Sequence, residues 1–274
     1  MLHVARRPVG ALPYDAAVVP APHPTERAGL PPVWILSLER ARERRASVTR
    51  AFGDLRIPFE LLPAVDGGHL TSAERSRYSR WWALFTIGRD LTAGDIGCAL
   101  SHLRVYERMV AQDVPEVLVV EDDVTPLPEL VDVLGARAAL PPDWQVLTLH
   151  SLFASSAPRP LAQPPLANRF RVCTYDRIPF GTQCYLARRS AAHRLLAVAD
   201  PVRMPADELL FRRRPAGLRV YGIEPSPVVH ADFGSELGAR RASSSPWPVR
   251  AVEHTVVTAG KVWTRVRRPS RMRR

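Results

Sequence analysis

The chain has 274 residues, 46% of them hydrophobic and 24% charged, which is enough to bury a sizeable core and excludes both a mini-protein and chain-wide disorder. Its net charge of +11 is unevenly placed, because ten basic residues and one acid between Arg240 and Arg274 carry +9 of it, leaving the body nearly neutral. That excludes a basic binding face spread along the fold, so specific nucleic-acid recognition is not expected; a basic tail instead suits anionic lipid, a polyanion or plain solvent.

Residues 1–32 are rich in Pro and Ala without clear periodicity and read as a loose leader, and a folded domain is expected over 33–238, followed by the basic tail 239–274. VWILSL (33–38) has the composition of a buried parallel strand and is followed by a charged helix, ERARERRASVTRAF. IPFELLPAVDG (57–67) is strand-like and stops at the turn signal Asp66-Gly67-Gly68. Residues 71–90 form an Arg-rich aromatic insertion with Trp81 and Trp82, where a sugar-stacking platform competes with core packing.

LTAGDIGCALSHLRVYERMVAQD (91–113) reads as a helix with Thr92 as N-cap, Asp95 three residues on, and apolar residues at helical spacing. EVLVVEDD is the next strand, PLPELVDVLGARAAL a helix, WQVLTLH another strand, and the Pro/Ser-rich stretch after it a long loop. RVCTYDRIPFGTQCYLARRS carries one or two strands, SAAHRLLAVA and MPADELLFRR short helices, and LRVYGIEPSPVVH a last extended segment. Strands alternating with helices imply an α/β fold, a mostly parallel Rossmann-type sheet with helices on both faces, in which ligands bind outside the carboxyl ends of the strands.

Cys98, Cys173 and Cys184 show no C-x-x-C spacing, so neither a disulfide framework nor a zinc site is suggested. Reduced thiols, and no apolar run long enough for a signal or a membrane span, fit a cytoplasmic protein, at most peripheral to the inner membrane face.

Glu121, Asp122 and Asp123 close the apolar run EVLVV. Adjacent carboxylates at the exit of a buried strand repel one another and resist desolvation, so they need partners or solvent. Mg²⁺ or Mn²⁺ is one such partner, bridging carboxylates to a substrate diphosphate; an ordinary polar strand-to-loop turn is the other reading.

Taken together, VWILSLERARERRAS, IPFELLPAVDG, LTAGDIGCALSHLRVYERMV, VLVVEDDV, GTQCYLARRSAAHRLL, PVRMPADELL and EPSPVVHADFGSEL resemble glycosyltransferase family 25, the lipopolysaccharide-type galactosyltransferases. The chain departs from that pattern at Ser37, Tyr106 and His230, where Asn, Trp and Gln are usual. The resemblance implies a GT-A-like fold, a UDP-sugar donor, a glycan or lipid-linked acceptor, and inverting, metal-assisted hexosyl transfer. It makes Asp207 the candidate general base, with an N-cap as the rival role.

It further implies metal ligation by Asp123, with Asp122 and Glu121 meeting ribose, water or metal, and His230 either completing the shell or serving as a hydrogen-bonded strand-end histidine. Donor contact is expected of Glu121, Asp122, Gly97, Ser101 and His102, against close packing at Gly97 and a satisfied buried histidine at His102. Gly181 and Thr182 fall on the acceptor side. Arg40, Arg44 and Arg45 could meet the diphosphate or form a solvated helix face. Cys98 reads as a small packing residue. Two other functions compete: a catalytically inactive nucleotide-sugar-binding module, and a polyanion-binding protein driven by the tail.

Overall fold

The computed structural model describes residues 29–150, 158–175, 181–212 and 216–231. The leader and the basic tail expected from the sequence therefore lie almost wholly outside the described residues.

Strand β1 (Val33–Ser37) leads into helix α1 (Arg42–Asp54) and strand β2 (Glu60–Pro63). The insertion forms two short helices, α2 (Ser72–Ser76) and α3 (Arg80–Ile87), ahead of the long helix α4 (Ala93–Ala111). Thr92 starts α4 as expected: its Oγ1 accepts from Asp95 N at 3.1 Å while its own N–H donates to Asp95 Oδ2 at 3.2 Å, satisfying two otherwise orphaned donors. Strands β3 (Glu116–Glu121) and β4 (Val124–Pro126) precede helix α5 (Leu130–Gly135) and strand β5 (Val146–Thr148). After β6 (Pro158–Pro160), β7 (Arg171–Tyr175) and β8 (Cys184–Arg188) come helix α6 (Arg189–Ala199), a π-helical turn over Glu208–Arg212, and strands β9 (Val220–Glu224) and β10 (Val228–His230).

Eight strands form one sheet in the order β2-β1-β3-β8-β5-β9-β7-β6. The pairings run six strands one way, with β7 and β8 against them, so the mostly parallel α/β sheet is present with antiparallel members inside it. The two faces follow from alternation along each strand. Trp34 and Leu36 of β1 with Val117 and Val119 of β3 face α4 and α6, whereas Val33, Ile35, Leu118 and Val120 face α1 and α5. No described helix is long and apolar enough to cross a membrane.

The short strand β4 was not foreseen. It pairs antiparallel with β10 in a separate two-stranded sheet, His230 opposite Val124.

Candidate functional site

Because β1, β2, β3, β5 and β9 share one direction, their carboxyl ends open on the same edge, where ligands of such sheets collect. Ser37, Asp66, the Glu121–Asp123 triplet, His150 and Ser226 all follow those ends. Gln183 and Thr182 enter the same edge at the start of β8.

Asp122 is buried and fully engaged by the chain itself. Its Oδ2 accepts from Ser37 Oγ at 2.7 Å, and its Oδ1 lies 2.6 Å from the Arg44 guanidinium. Burial nevertheless holds its pKa above the usual range, with Ser37 and Arg44 opposing. Arg44 therefore supplies a neutralising charge to Asp122 from within the chain, beside the cation expected there from the sequence. Arg44 is likewise no solvated surface residue.

Glu121 is held from two sides. Thr182 Oγ1 donates to its Oε1 at 2.5 Å and His102 Nε2 lies 3.3 Å from the same oxygen. Burial pushes its pKa up, but His102, Thr182 and Arg44 together bring it below the ordinary carboxylate value. Thr182, expected at the acceptor, is thus bonded to a carboxylate expected at the donor. Gly181 beside it takes a left-handed backbone, φ 94°, where any side chain would be strained.

His102 is 1% exposed and has both nitrogens occupied, Nδ1 against Tyr185 OH at 2.8 Å, with Tyr106 OH a further 2.8 Å behind. This corrects direct donor contact: His102 positions Glu121 instead. Gly97 and Ser101 are corrected in the same way. A Cβ on Gly97 would come within 2.6 Å of Val65 O and 2.7 Å of Gly67 N, so that glycine lets the loop after β2 lie on α4. Ser101 Oγ accepts from Val65 N at 2.8 Å and donates to Gly97 O at 2.7 Å, locking the same contact.

Asp123 differs from its neighbours. Its Oδ2 stands 3.4 Å from Arg44, but its buried Oδ1 has no partner. Burial, then repulsion from Glu121, pushes its pKa up to about 7. Its backbone carbonyl accepts from Ala231 N at 2.7 Å, which sets β10 and His230 beside it. His150, which the sequence reading passed over, stacks on His230 at 6.4 Å and also has a buried unpartnered nitrogen, Nε2. Burial and then His230 lower its pKa, leaving a neutral imidazole. A strand-closing histidine at the acidic edge was the available signal.

Asp207 is 7% exposed and its Oδ1 accepts from the N–H of the next residue, Glu208, at 2.8 Å, whereas an N-cap accepts from the second or third N–H beyond it. Its charge also helps to raise the pKa of the Cys98 thiol, after burial and Glu121. Trp81 and Trp82 are exposed, 63% and 51%, outside the core and available as a platform. A second cleft, about 750 Å³ and lined by Asp143, Arg188, Arg194 and Arg219 among others, opens at the start of β5 and β9, the opposite edge of the sheet.

The family model described as glycosyltransferase family 25 (LPS biosynthesis protein) matches residues 30–210 of this chain. The chain belongs to glycosyltransferase family 25. A "Glycosyltransferase 25 family member" of Aedes aegypti is 36% identical over 105 residues, covering 37% of this chain and 17% of that protein. "Inactive glycosyltransferase 25 family member 3" of Homo sapiens is 33% identical over 110 residues (36% and 17%), and "Procollagen galactosyltransferase 2" of Mus musculus 30% over 106 residues (36% and 16%). The matches span about a fifth or less of the length of these curated family 25 relatives. A solved glycosyltransferase involved in glycosylation of the PBCV-1 major capsid aligns over 62% of this chain and 66% of its own, at 8% identity and a TM-score of 0.33, a likeness on which nothing below rests.

Proposed function

We propose that this family 25 chain transfers a hexose, galactose foremost, from a UDP-sugar to a hydroxyl of a glycan or lipid-linked acceptor, with inversion and with Mn²⁺ or Mg²⁺. Supporting this reading above all is the unpartnered, buried Oδ1 of Asp123 at the carboxyl edge of the sheet. A carboxylate in that condition accepts a hard cation readily, and His230 on the strand bonded to it offers a second ligand. Bound there, the cation would neutralise the diphosphate as it departs. Glu121 and Asp122, already satisfied within the chain, would hold Asp123 in place rather than bind the ion.

On the acceptor side, Asp207 is the base this proposal requires: it would take the hydroxyl proton as that oxygen attacks the anomeric carbon. The working unit is taken as residues 33–238, in the cytoplasm, with the tail free to touch anionic lipid. Release of UDP from UDP-galactose, with and without acceptor, Mn²⁺ and chelator, tests the reading. Turnover indifferent both to chelation and to Asp123→Ala would end it. An inactive nucleotide-sugar-binding module is the second reading, favoured by Arg44 already neutralising Asp122 and by relatives whose names call them inactive. UDP binding without transfer or donor hydrolysis would select it.

A further inference from the structure

Cys98 and His102 stand four residues apart on α4, so their side chains share a face of that helix. Glu121 meets them from the end of β3. A ring nitrogen of His102, the Cys98 sulfur and a Glu121 carboxylate oxygen all lie within 4.8 Å of one another, and among the described residues no other group of His, Cys, Asp and Glu does so.

Two N or O ligands held about 2.0–2.1 Å from one ion at a tetrahedral angle are about 3.3–3.4 Å apart. The separation of His102 Nε2 from Glu121 Oε1, 3.3 Å, already has that value. A metal-bound histidine donates its other N–H to a fixed partner, and Tyr185 OH occupies that place at 2.8 Å, braced in turn by Tyr106. Thr182 Oγ1 donates to that same Glu121 oxygen and stands 3.9 Å from Cys98 Sγ, so its hydroxyl lies beside the three ligand atoms. Binding would draw the sulfur, already within 4.8 Å of the other two atoms, into the shell by a Cys χ1 adjustment.

We propose that Cys98, His102 and Glu121 form a site for Zn²⁺, open at its fourth position and separate from the hard-cation position at Asp123. One sulfur, one imidazole and one carboxylate select a borderline-soft ion over Mg²⁺. As the ion binds, the thiol proton leaves to solvent and Cys98 ligates as thiolate. The imidazole proton shifts from Nε2 to Nδ1, where Tyr185 accepts it, and Glu121 exchanges its His102 hydrogen bond for the metal. The sequence concealed this set because its third ligand is 19 residues away from the second and no C-x-x-C spacing announces it.

Titration of the full chain with Co²⁺ alone tests the site without reference to glycosyl transfer. The wild type should take up one equivalent with a near-ultraviolet thiolate-to-cobalt band and intense visible bands of tetrahedral coordination, all displaced by Zn²⁺. Cys98→Ser, near-isosteric and checked by its unfolding midpoint, should lose the near-ultraviolet band and bind at least tenfold more weakly. Asp123→Asn should keep both. No band in the folded wild type, a band surviving Cys98→Ser and hence due to Cys173 or Cys184, or its loss in Asp123→Asn would overturn the proposal.

Discussion

Two neighbourhoods of one acidic triplet behave differently. Around Glu121 and Asp122 the described oxygens meet Ser37, Arg44, Thr182 and His102. Around Asp123, His150 and His230, a carboxylate oxygen and a ring nitrogen are buried without a partner. Unmatched buried polar atoms cost the fold about 1–3 kcal/mol each, and a cation at Asp123 would remove that cost there. Around Asp122 the carboxylate is braced by the chain, although Arg44 Nε itself has no partner, whereas the Asp123 carboxylate keeps an oxygen for the donor cation proposed above.

The largest test of that contrast is on the frame. Arg44→Met leaves Asp122 buried without its cation and should cost about 3–5 kcal/mol in chemical denaturation; a loss below about 1 kcal/mol would mean that Asp122 does not depend on it. On the open side the expectation is reversed. Asp123→Ala should lower UDP release about 100-fold or more while leaving the unfolding midpoint unchanged or raised, since burial and repulsion already disfavour that charge. A destabilised Asp123→Ala would erase the distinction between the two sides.

Smaller effects sharpen it. Ser101→Ala removes the acceptor for the buried Val65 N–H and should cost about 1–3 kcal/mol, with donor KM nearly unchanged if Ser101 is part of the scaffold. Tyr106→Phe removes one hydrogen bond behind Tyr185, worth about 1 kcal/mol.

The smallest concerns Asp66, just after β2 at the carboxyl edge of the sheet, whose pKa is lowered to about 2 by His69 and then by Arg40 and Gly68 N–H. A carboxyl group with a lowered folded-state pKa stabilises above its unfolded value of 3.8 and loses that contribution as pH falls toward 2. Asp66→Asn should therefore flatten the acid limb of a melting-temperature profile between those values; an unaltered limb would count against the Asp66 contacts.

Much of this was legible in the sequence, for physical reasons. The unbroken apolar runs VWILS and EVLVV announced strands buried on both faces, and Thr92 with Asp95 announced the start of α4. The acidic ending of β3 marked the edge where ligands gather. What stayed hidden depends on contacts distant along the chain: Arg44 reaching Asp122, Thr182 reaching Glu121, His150 facing His230. The choice between a phosphate contact and close packing at Gly97 stayed open in the sequence, because a glycine near a helix start suits both, and only Val65 and Gly67 arriving on that turn, with Ser101 one turn on bonding Val65 N, favour packing. The strand β4 is three residues long, too short for a periodic signal.

The bond from Ala231 N to the Asp123 carbonyl has a consequence for the order in which the protein becomes competent. A nascent chain that has emerged as far as residue 210 already contains the segment by which the family is recognised, with Ser37 and Arg44 present to meet Asp122. It still lacks β9, which joins β5 to β7 in the sheet, and β10, so the backbone of Asp123 has no strand to rest on. Competence to hold the proposed cation should therefore arrive only once β10 follows β9, and a truncation series through residues 225–231, which spares β9, would locate the step.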